Sequence, residues 1–218
     1  MSVRVLVFAR APVAGAAKTR LIPALGADGA AALQAELVRD AVARATAAGV
    51  GPVELWGTGD DPAGFLSALA HRHGAGFHWQ SGDDLGERML HALAVATRAG
   101  DAALVIGSDC PALDTGAIRE AATHLERAPA VLGPAADGGY VLLGLQRIDP
   151  RLFRDMPWGA DTVLGETRRR LAQGFTTWGE IAERPDVDVP GDLRALAALS
   201  ADWRDILARI RPQSPASA

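Results

Sequence analysis

The 218-residue chain carries a single cysteine, Cys110. One cysteine excludes an intrachain disulfide framework and any CxxC metal site, and it fits a reducing compartment, so a cytoplasmic location is the expectation. A basic excess is missing too: 22 Lys and Arg stand against 26 Asp and Glu, for a formal net charge of −4. A general nucleic-acid binder needs a basic surface to neutralise phosphates, so no nucleic-acid partner is expected. No apolar run approaches the roughly 20 residues of a membrane-spanning helix, and no membrane partner is expected. The opening Val5-Leu-Val-Phe-Ala9 is too short for the apolar core of a signal peptide and reads as a first strand. The fingerprints GxGxxG and GxxxxGK[ST] are absent. No Gly, Ser and Pro-rich linker divides the chain, so one domain over 1–211 with a mobile tail at 212–218 is expected.

What is present is an alternation of short apolar runs with helical patterns. Val3–Ala9, Val53–Trp56, Gly76–Trp79, Ala102–Ile106, Ala130–Leu132 and Tyr140–Leu145 read as strands; Gly26–Ala48, Pro62–His73, Leu85–Arg98, Thr115–Arg127, Thr162–Gln173 and Gly191–Ile210 read as helices. This is an α/β fold with a largely parallel sheet covered on both faces. The runs at 130 and 140 have no helix between them, which predicts one antiparallel strand and hence a mixed sheet. Within Ala27–Ala48, Gln34, Glu36, Arg39, Asp40 and Arg44 recur at helical spacing, as on an amphipathic surface helix. Such Ala-rich helices leave a homodimer open.

Three segments carry charge in patterns that point to chemistry. The run Phe8-Ala9-Arg10-Ala-Pro-Val-Ala-Gly15-Ala-Ala-Lys18-Thr-Arg20-Leu21 leaves the first strand, where a Gly-containing turn can offer backbone N–H groups and two cations to phosphates. Read alone, Lys18 and Arg20 are equally well solvated charges on an ordinary loop. Gly107-Ser-Asp109-Cys-Pro111 closes an apolar strand, and ligands of open α/β sheets bind beyond such strand ends, so Asp109 is a metal-ligand candidate. Asp114 instead reads as a helix cap. Cys110, with no histidine placed to activate it, reads as a buried small residue. In Asp186-Val-Asp188-Val-Pro-Gly-Asp192, alternate residues of an extended segment face one side, and the hard oxygens of Asp186 and Asp188 suit Mg²⁺ or Mn²⁺. Asp192 falls in the first turn of a helix.

Gly82-Asp-Asp84-Leu-Gly-Glu-Arg88-Met89 opens a helix whose free N–H groups can receive a nucleotide; equally, Asp83 or Asp84 is its cap. Gly138 and Gly139 permit a tight turn or a close backbone approach to a ligand. Trp158 can stack on an acceptor, or anchor its loop.

Taken in order, Ala-Gly-Ala-Ala-Lys18-Thr-Arg20-Leu, Gly-Asp-Asp-Leu-Gly-Glu-Arg88-Met, Gly-Ser-Asp109-Cys-Pro, Asp137-Gly138-Gly139-Tyr-Val-Leu-Leu-Gly144, Pro157-Trp158-Gly-Ala-Asp-Thr162-Val and Asp186-Val-Asp188-Val-Pro-Gly-Asp-Leu resemble the rSAM/selenodomain-associated transferase 1 family of the GT-A, or nucleotide-diphospho-sugar transferase, superfamily. The first loop and the Asp-Gly-Gly segment are also similar to 2-phospholactate guanylyltransferases. The resemblance implies a GT-A-like, Rossmann-like three-layer sandwich and a transferase acting on a nucleotide or nucleotide-sugar donor and a small-molecule acceptor. It further implies that Lys18 and Arg20 grip the triphosphate; Ala9, Arg10, Gly15, Gly82, Asp84 and Arg88 are expected around the nucleotide. Asp109 and Asp188, with Asp186, would hold Mg²⁺ or Mn²⁺, and Asp137, Gly138, Gly139, Trp158 and Thr162 would face the acceptor. The loop departs from the GGxSxRMG form of many nucleotidyltransferases, and Asp109-Cys-Pro replaces a fuller DxD. Nucleotidyl transfer to a small anionic acceptor is the leading expectation, ahead of glycosyl transfer and of a non-catalytic nucleotide-binding module.

Overall fold

The first strand, β1 (Val3–Arg10), shows why the sheet is covered on both sides: Val3, Val5, Val7 and Ala9 turn to one apolar cluster, Leu6 and Phe8 to another. That is the period-two alternation of a strand buried on both faces. The computed structural model describes residues 2–97 and 101–210; the tail expected at 212–218 lies outside them. β1 is joined by β2 (Val53–Thr58), β3 (Gly76–Trp79), β4 (Ala102–Gly107), β5 (Ala130–Pro134), β6 (Tyr140–Leu145) and β7 (Gly179–Glu180), in the order β3-β2-β1-β4-β6-β5-β7. β6 alone runs against its neighbours, antiparallel to both β4 and β5, while the other pairs are parallel. A tight turn replaces a crossover helix between β5 and β6, which forces the reversal. The two-residue β7 was not anticipated, being too short to leave an apolar run.

Helices α1 (Ile22–Ala48), α2 (Phe65–Arg72) and α4 (Thr115–Leu125) pack on one face, α3 (Leu85–Ala96) and α5 (Val163–Gly174) on the other. The result is a single-domain three-layer α/β sandwich with a mixed, mostly parallel sheet, as expected. The final helical stretch is two helices, α6 (Asp192–Leu199) and α7 (Ala201–Ile210), not one. Ser200 between them is extended (φ −159°, ψ 166°) and its Oγ accepts from Trp203 N at 3.1 Å, capping α7.

α1 corrects the amphipathic surface reading. Val38, Ala41, Val42, Ala45 and Ala48 face the sheet, while Leu25, Ala30, Leu33 and Leu37 meet Leu193, Leu196, Trp203 and Leu207 of α6 and α7. Covered on two sides, the segment Thr19–Ala48 is long and apolar enough to pass for a membrane span by composition, contrary to the expectation that no such segment exists. Gln34, read as surface, is buried and donates from Nε2 to Arg10 O at 3.0 Å.

β1 and β4 lie side by side at the centre, with β2 on one flank and β6 on the other. The strand order switches direction there, and in open α/β sheets a crevice opens beyond the carboxyl ends of such strands.

Candidate active site

The chain leaves β1 at Arg10 and enters a loop in which Gly15 (φ 79°) and Lys18 (φ 46°) are left-handed. For lysine that backbone is uncommon, and it aims the side chain inward, leaving it 8% exposed. Lys18 Nζ donates to Val187 O at 2.6 Å and to Asp109 Oδ2 at 3.4 Å, and stands 3.9 Å from Asp188 Oδ1. After a single 3₁₀ turn at Thr19–Leu21, Arg20 Nη1 meets Asp188 Oδ2 at 2.6 Å. Ser108 N donates to Phe8 O at 3.1 Å, setting Asp109 just past the end of β4 and beside the end of β1. Gly107 leaves room for that carboxylate, since a Cβ there would stand 2.7 Å from Asp109 Oδ1.

The two acidic segments are stitched together by backbone. Val187 N donates to Asp109 O at 2.9 Å, and the Cys110 thiol to Pro185 O at 3.3 Å. Asp192 accepts from Asp188 N at 2.8 Å and Val189 N at 2.7 Å, so it holds the turn into α6. Burial together with the charges of Asp109 and Asp137 pushes the Asp186 carboxyl up to about 6.

Among the described residues no group of three His, Cys, Asp or Glu side chains is arranged to hold a metal ion, so Asp109, Asp186 and Asp188 do not converge as a triad. Asp109 and Asp188 nevertheless face a common cation position, because the Lys18 ammonium lies within 3.9 Å of both. Their carboxylates are hard-oxygen donors of the type that Mg²⁺ and Mn²⁺ take, and the Lys18 ammonium occupies the position between them.

The residues line a cleft of about 820 Å³, within the range of small-molecule sites. Of the sequence candidates it brings together Ala9, Arg10, Lys18, Arg20, Arg88, Asp109 and Asp188. Gly15, Gly82, Asp84, Asp137, Gly138, Gly139, Trp158, Thr162 and Asp186 are not among its lining residues. Asp84 caps α3, accepting from Glu87 N at 2.8 Å, while Glu87 accepts from Asp83 N at 2.9 Å. Gly138 (φ 89°) lies so close to the Asp161 carbonyl that a Cβ would collide with it; its own oxygen accepts from Leu164 N at 2.8 Å. Trp158 packs edge-on to Tyr140, ring centroids 6.3 Å apart, one layer behind the wall, and Thr162 precedes α5.

Sequence reading missed Gln34, Thr58, Gln80, Met89, Ser108 and Tyr140, all of which line the cleft. Met89, Ser108 and Tyr140 lie inside the sequence motifs but were not singled out, whereas Gln34, Thr58 and Gln80 carry no motif and only the fold gathers them. Cys110 is buried, and its thiol is pushed up to about 12, chiefly by burial and then by the Asp109 charge, which makes it no nucleophile.

Among solved structures, the chain is similar to a protein from Desulfovibrio desulfuricans G20 designated a nucleotide-diphospho-sugar transferase (26% identity, TM-score 0.79, covering 98% of this chain and 100% of that one). It is also similar to a cytidylyltransferase from Leptospira borgpetersenii (15% identity, TM-score 0.62, 100% of both chains). A Mycobacterium tuberculosis H37Rv protein solved in complex with manganese matches at 19% identity and TM-score 0.57, over 92% of this chain and 100% of that one. No curated protein matches. A family model described as an uncharacterized protein conserved in bacteria, DUF2064, matches residues 22–160, a segment that holds Asp109 and Asp137–Gly139 while Lys18 and Asp188 lie outside it, and the chain belongs to that family.

Proposed function

We propose that the chain is a divalent-metal-dependent transferase that moves a nucleotidyl group from an NTP to a small anionic acceptor and releases pyrophosphate. The observation that carries this reading is the meeting of Lys18 and Arg20 with Asp109 and Asp188, at 2.6–3.9 Å, in a cleft at the carboxyl ends of the central strands. The likeness to a nucleotide-diphospho-sugar transferase and a cytidylyltransferase supports an enzyme of this broad class.

The acceptor oxygen attacks the α-phosphorus in line, and the bond to the pyrophosphate oxygen breaks. Asp109 and Asp188 would hold the cation, which when bound neutralises phosphate charge and polarises the α-phosphate. Lys18 and Arg20 donate to the departing phosphates, a point charge and a fork respectively. Arg10 and Arg88 add two further cations to the cleft wall, suited to an anionic acceptor. Among the described residues no histidine lines the cleft; a phosphate or carboxylate acceptor is already deprotonated and needs no general base.

A second reading, glycosyl transfer from a nucleotide-diphospho-sugar, is favoured by the designation of the Desulfovibrio protein. A panel of NTPs and nucleotide-sugars with Mg²⁺ or Mn²⁺ separates the two. Metal-dependent pyrophosphate release from an NTP, lost in Asp109→Ala and Lys18→Ala, supports nucleotidyl transfer. Hydrolysis of nucleotide-sugars alone replaces it with glycosyl transfer, and binding without turnover of either makes the chain a nucleotide-binding module.

A further inference from the structure

The turn that follows Asp109 is held by α1. Arg44, near the end of α1, has a side chain only 14% exposed. Its Nη1 donates to Cys110 O at 3.0 Å and Pro111 O at 2.8 Å, and also to Leu113 O. Its Nη2 pairs with Asp40 at 2.8 Å, one helical turn earlier. Cys110, Pro111 and Leu113 are buried, and buried carbonyls require donors. Cys110 O also accepts from Leu113 N at 3.0 Å, so among the described residues Arg44 Nη1 is the donor to Pro111 O and Leu113 O and a second donor to Cys110 O. α1 is in turn fixed to α4, because Arg119 Nε and Nη2 donate to Ala48 O and Ala47 O, each at 2.9 Å.

We infer that Arg44, with Asp40, is a positioning residue that sets the two acidic segments of the cleft in register for a divalent cation. The route is covalent and hydrogen-bonded. Arg44 holds residues 110–113, Asp109 immediately precedes them, and the same turn binds the second segment through Val187 N to Asp109 O and the Cys110 thiol to Pro185 O. Lys18 closes the set by donating to Val187 O. Arg44 does not line the cleft, so its effect on the carboxylates runs through backbone placement. Arginine is the fitting residue type, since its rigid fork gives one nitrogen to the turn carbonyls and the other to Asp40, where an ammonium is a single point. This inference rests on the metal-dependent reading above, and groups that orient ligands from behind affect metal affinity about 10- to 100-fold.

The test uses the full chain with Arg44→Gln, Arg44→Lys and the milder Asp40→Asn. Two quantities are read: the midpoint of Mn²⁺ binding by electron paramagnetic resonance, and amide hydrogen exchange by mass spectrometry. Arg44→Gln is expected to weaken Mn²⁺ binding about tenfold or more and to speed exchange in peptides covering 108–114 and 185–188, leaving those of β1 and β2 unchanged. Arg44→Lys is expected to recover part of both effects. Should Arg44→Gln fail to fold, Asp40→Asn carries the test, with smaller shifts in the same two peptides. Exchange that rises evenly over the chain, or a Mn²⁺ midpoint equal to wild type in a folded variant, overturns the inference. Absence of Mn²⁺ binding in the wild type instead overturns the metal-dependent reading, and the local exchange pattern then still reports whether Arg44 orders both segments.

Discussion

Lys18 donates from Nζ to the backbone oxygen of Val187 at 2.6 Å, joining the loop after the first strand to the residue just ahead of Asp188. The ammonium is thereby fixed between two carboxylates and aimed at the place where phosphate charge would develop. Replacing a preoriented charge of this kind costs about 10²–10³ in turnover. Lys18→Ala is therefore expected to lose pyrophosphate release by about that factor, read in a coupled pyrophosphate assay. Because no other lysine exists in the chain, amine-directed labelling beyond the N-terminus reports on this one side chain. Nucleotide and metal together should slow that labelling, and a Lys18→Ala variant with near-normal turnover would sink the role.

Asp109 and Asp188 differ in their partners, and that difference predicts different losses. Among the described residues Asp109 meets Lys18 alone of the cations, whereas Asp188 also binds Arg20 at 2.6 Å. Asp109→Asn removes one candidate metal oxygen and should raise the Mn²⁺ concentration needed for half-activation. Asp188→Asn should do the same and also release Arg20, raising the KM for the nucleotide. Metal titrations of both variants with a single NTP separate these outcomes; unchanged metal dependence in both excludes them as ligands.

The central strands were legible because β1, β2 and β4 are short apolar runs with abrupt ends, and one reversed strand was legible because no helix separates the runs at 130 and 140; the strand order, set by long-range pairing, was not. Lys18, Arg20 and Asp188 joined Asp109 as a group only through the resemblance of their motifs, whereas Asp109 itself was legible because a charge at a strand end interrupts an apolar pattern. Gln34 and Arg44 were hidden for the opposite reason. On a helix covered from two sides, a buried polar residue sits at the same spacing as a solvated one, and only its distant partners, Arg10 O and the 110–113 carbonyls, tell them apart. Asp84 shows the reverse limit: a carboxylate before a helix fits both a ligand site and a cap, and in the structure it accepts from Glu87 N.

That cap makes a stability prediction. Asp84→Ala removes the acceptor at the start of α3 and is expected to cost about 1 kcal/mol in urea unfolding. Asp84→Asn and Asp84→Ser, which keep a capping oxygen, should recover most of it. A loss shared equally by all three would assign the carboxylate's charge, not its cap, as the stabilising feature.

Cys110 should be silent as a thiol in the native chain. Burial, then the nearby Asp109 charge, raises its pKa from 9.0 to about 12, so at about pH 8 it stays protonated and enclosed. Alkylation by iodoacetamide is expected only after unfolding. The sign of the linkage also follows: above 9.0 the unfolded chain releases this proton while the folded chain keeps it, so its contribution lowers stability as pH rises toward about 12. Rapid labelling of folded protein would contradict the enclosed thiol.

Glu166 gives the acid side of the pH profile. Its carboxylate binds Arg169 Nη2 at 2.6 Å and Arg170 Nε at 2.5 Å, and those two arginines lower its pKa from 4.5 to about 2. Arg170 passes the constraint on, donating to Arg151 O at 2.8 Å and Asp155 O at 3.2 Å in the segment that leads to Trp158 and to Gly159 at the cleft. The depressed value means that the folded chain keeps the carboxylate charged where the unfolded chain does not. Its contribution is fully present above 4.5 and is lost as pH falls through about 2. Urea midpoints measured from neutral pH down to that window should fall more steeply for wild type than for Glu166→Gln, which starts lower and has no such proton to bind. Parallel curves for the two proteins would show that the pair does not couple to folding, and would leave Arg170 to hold the segment through its carbonyl contacts alone.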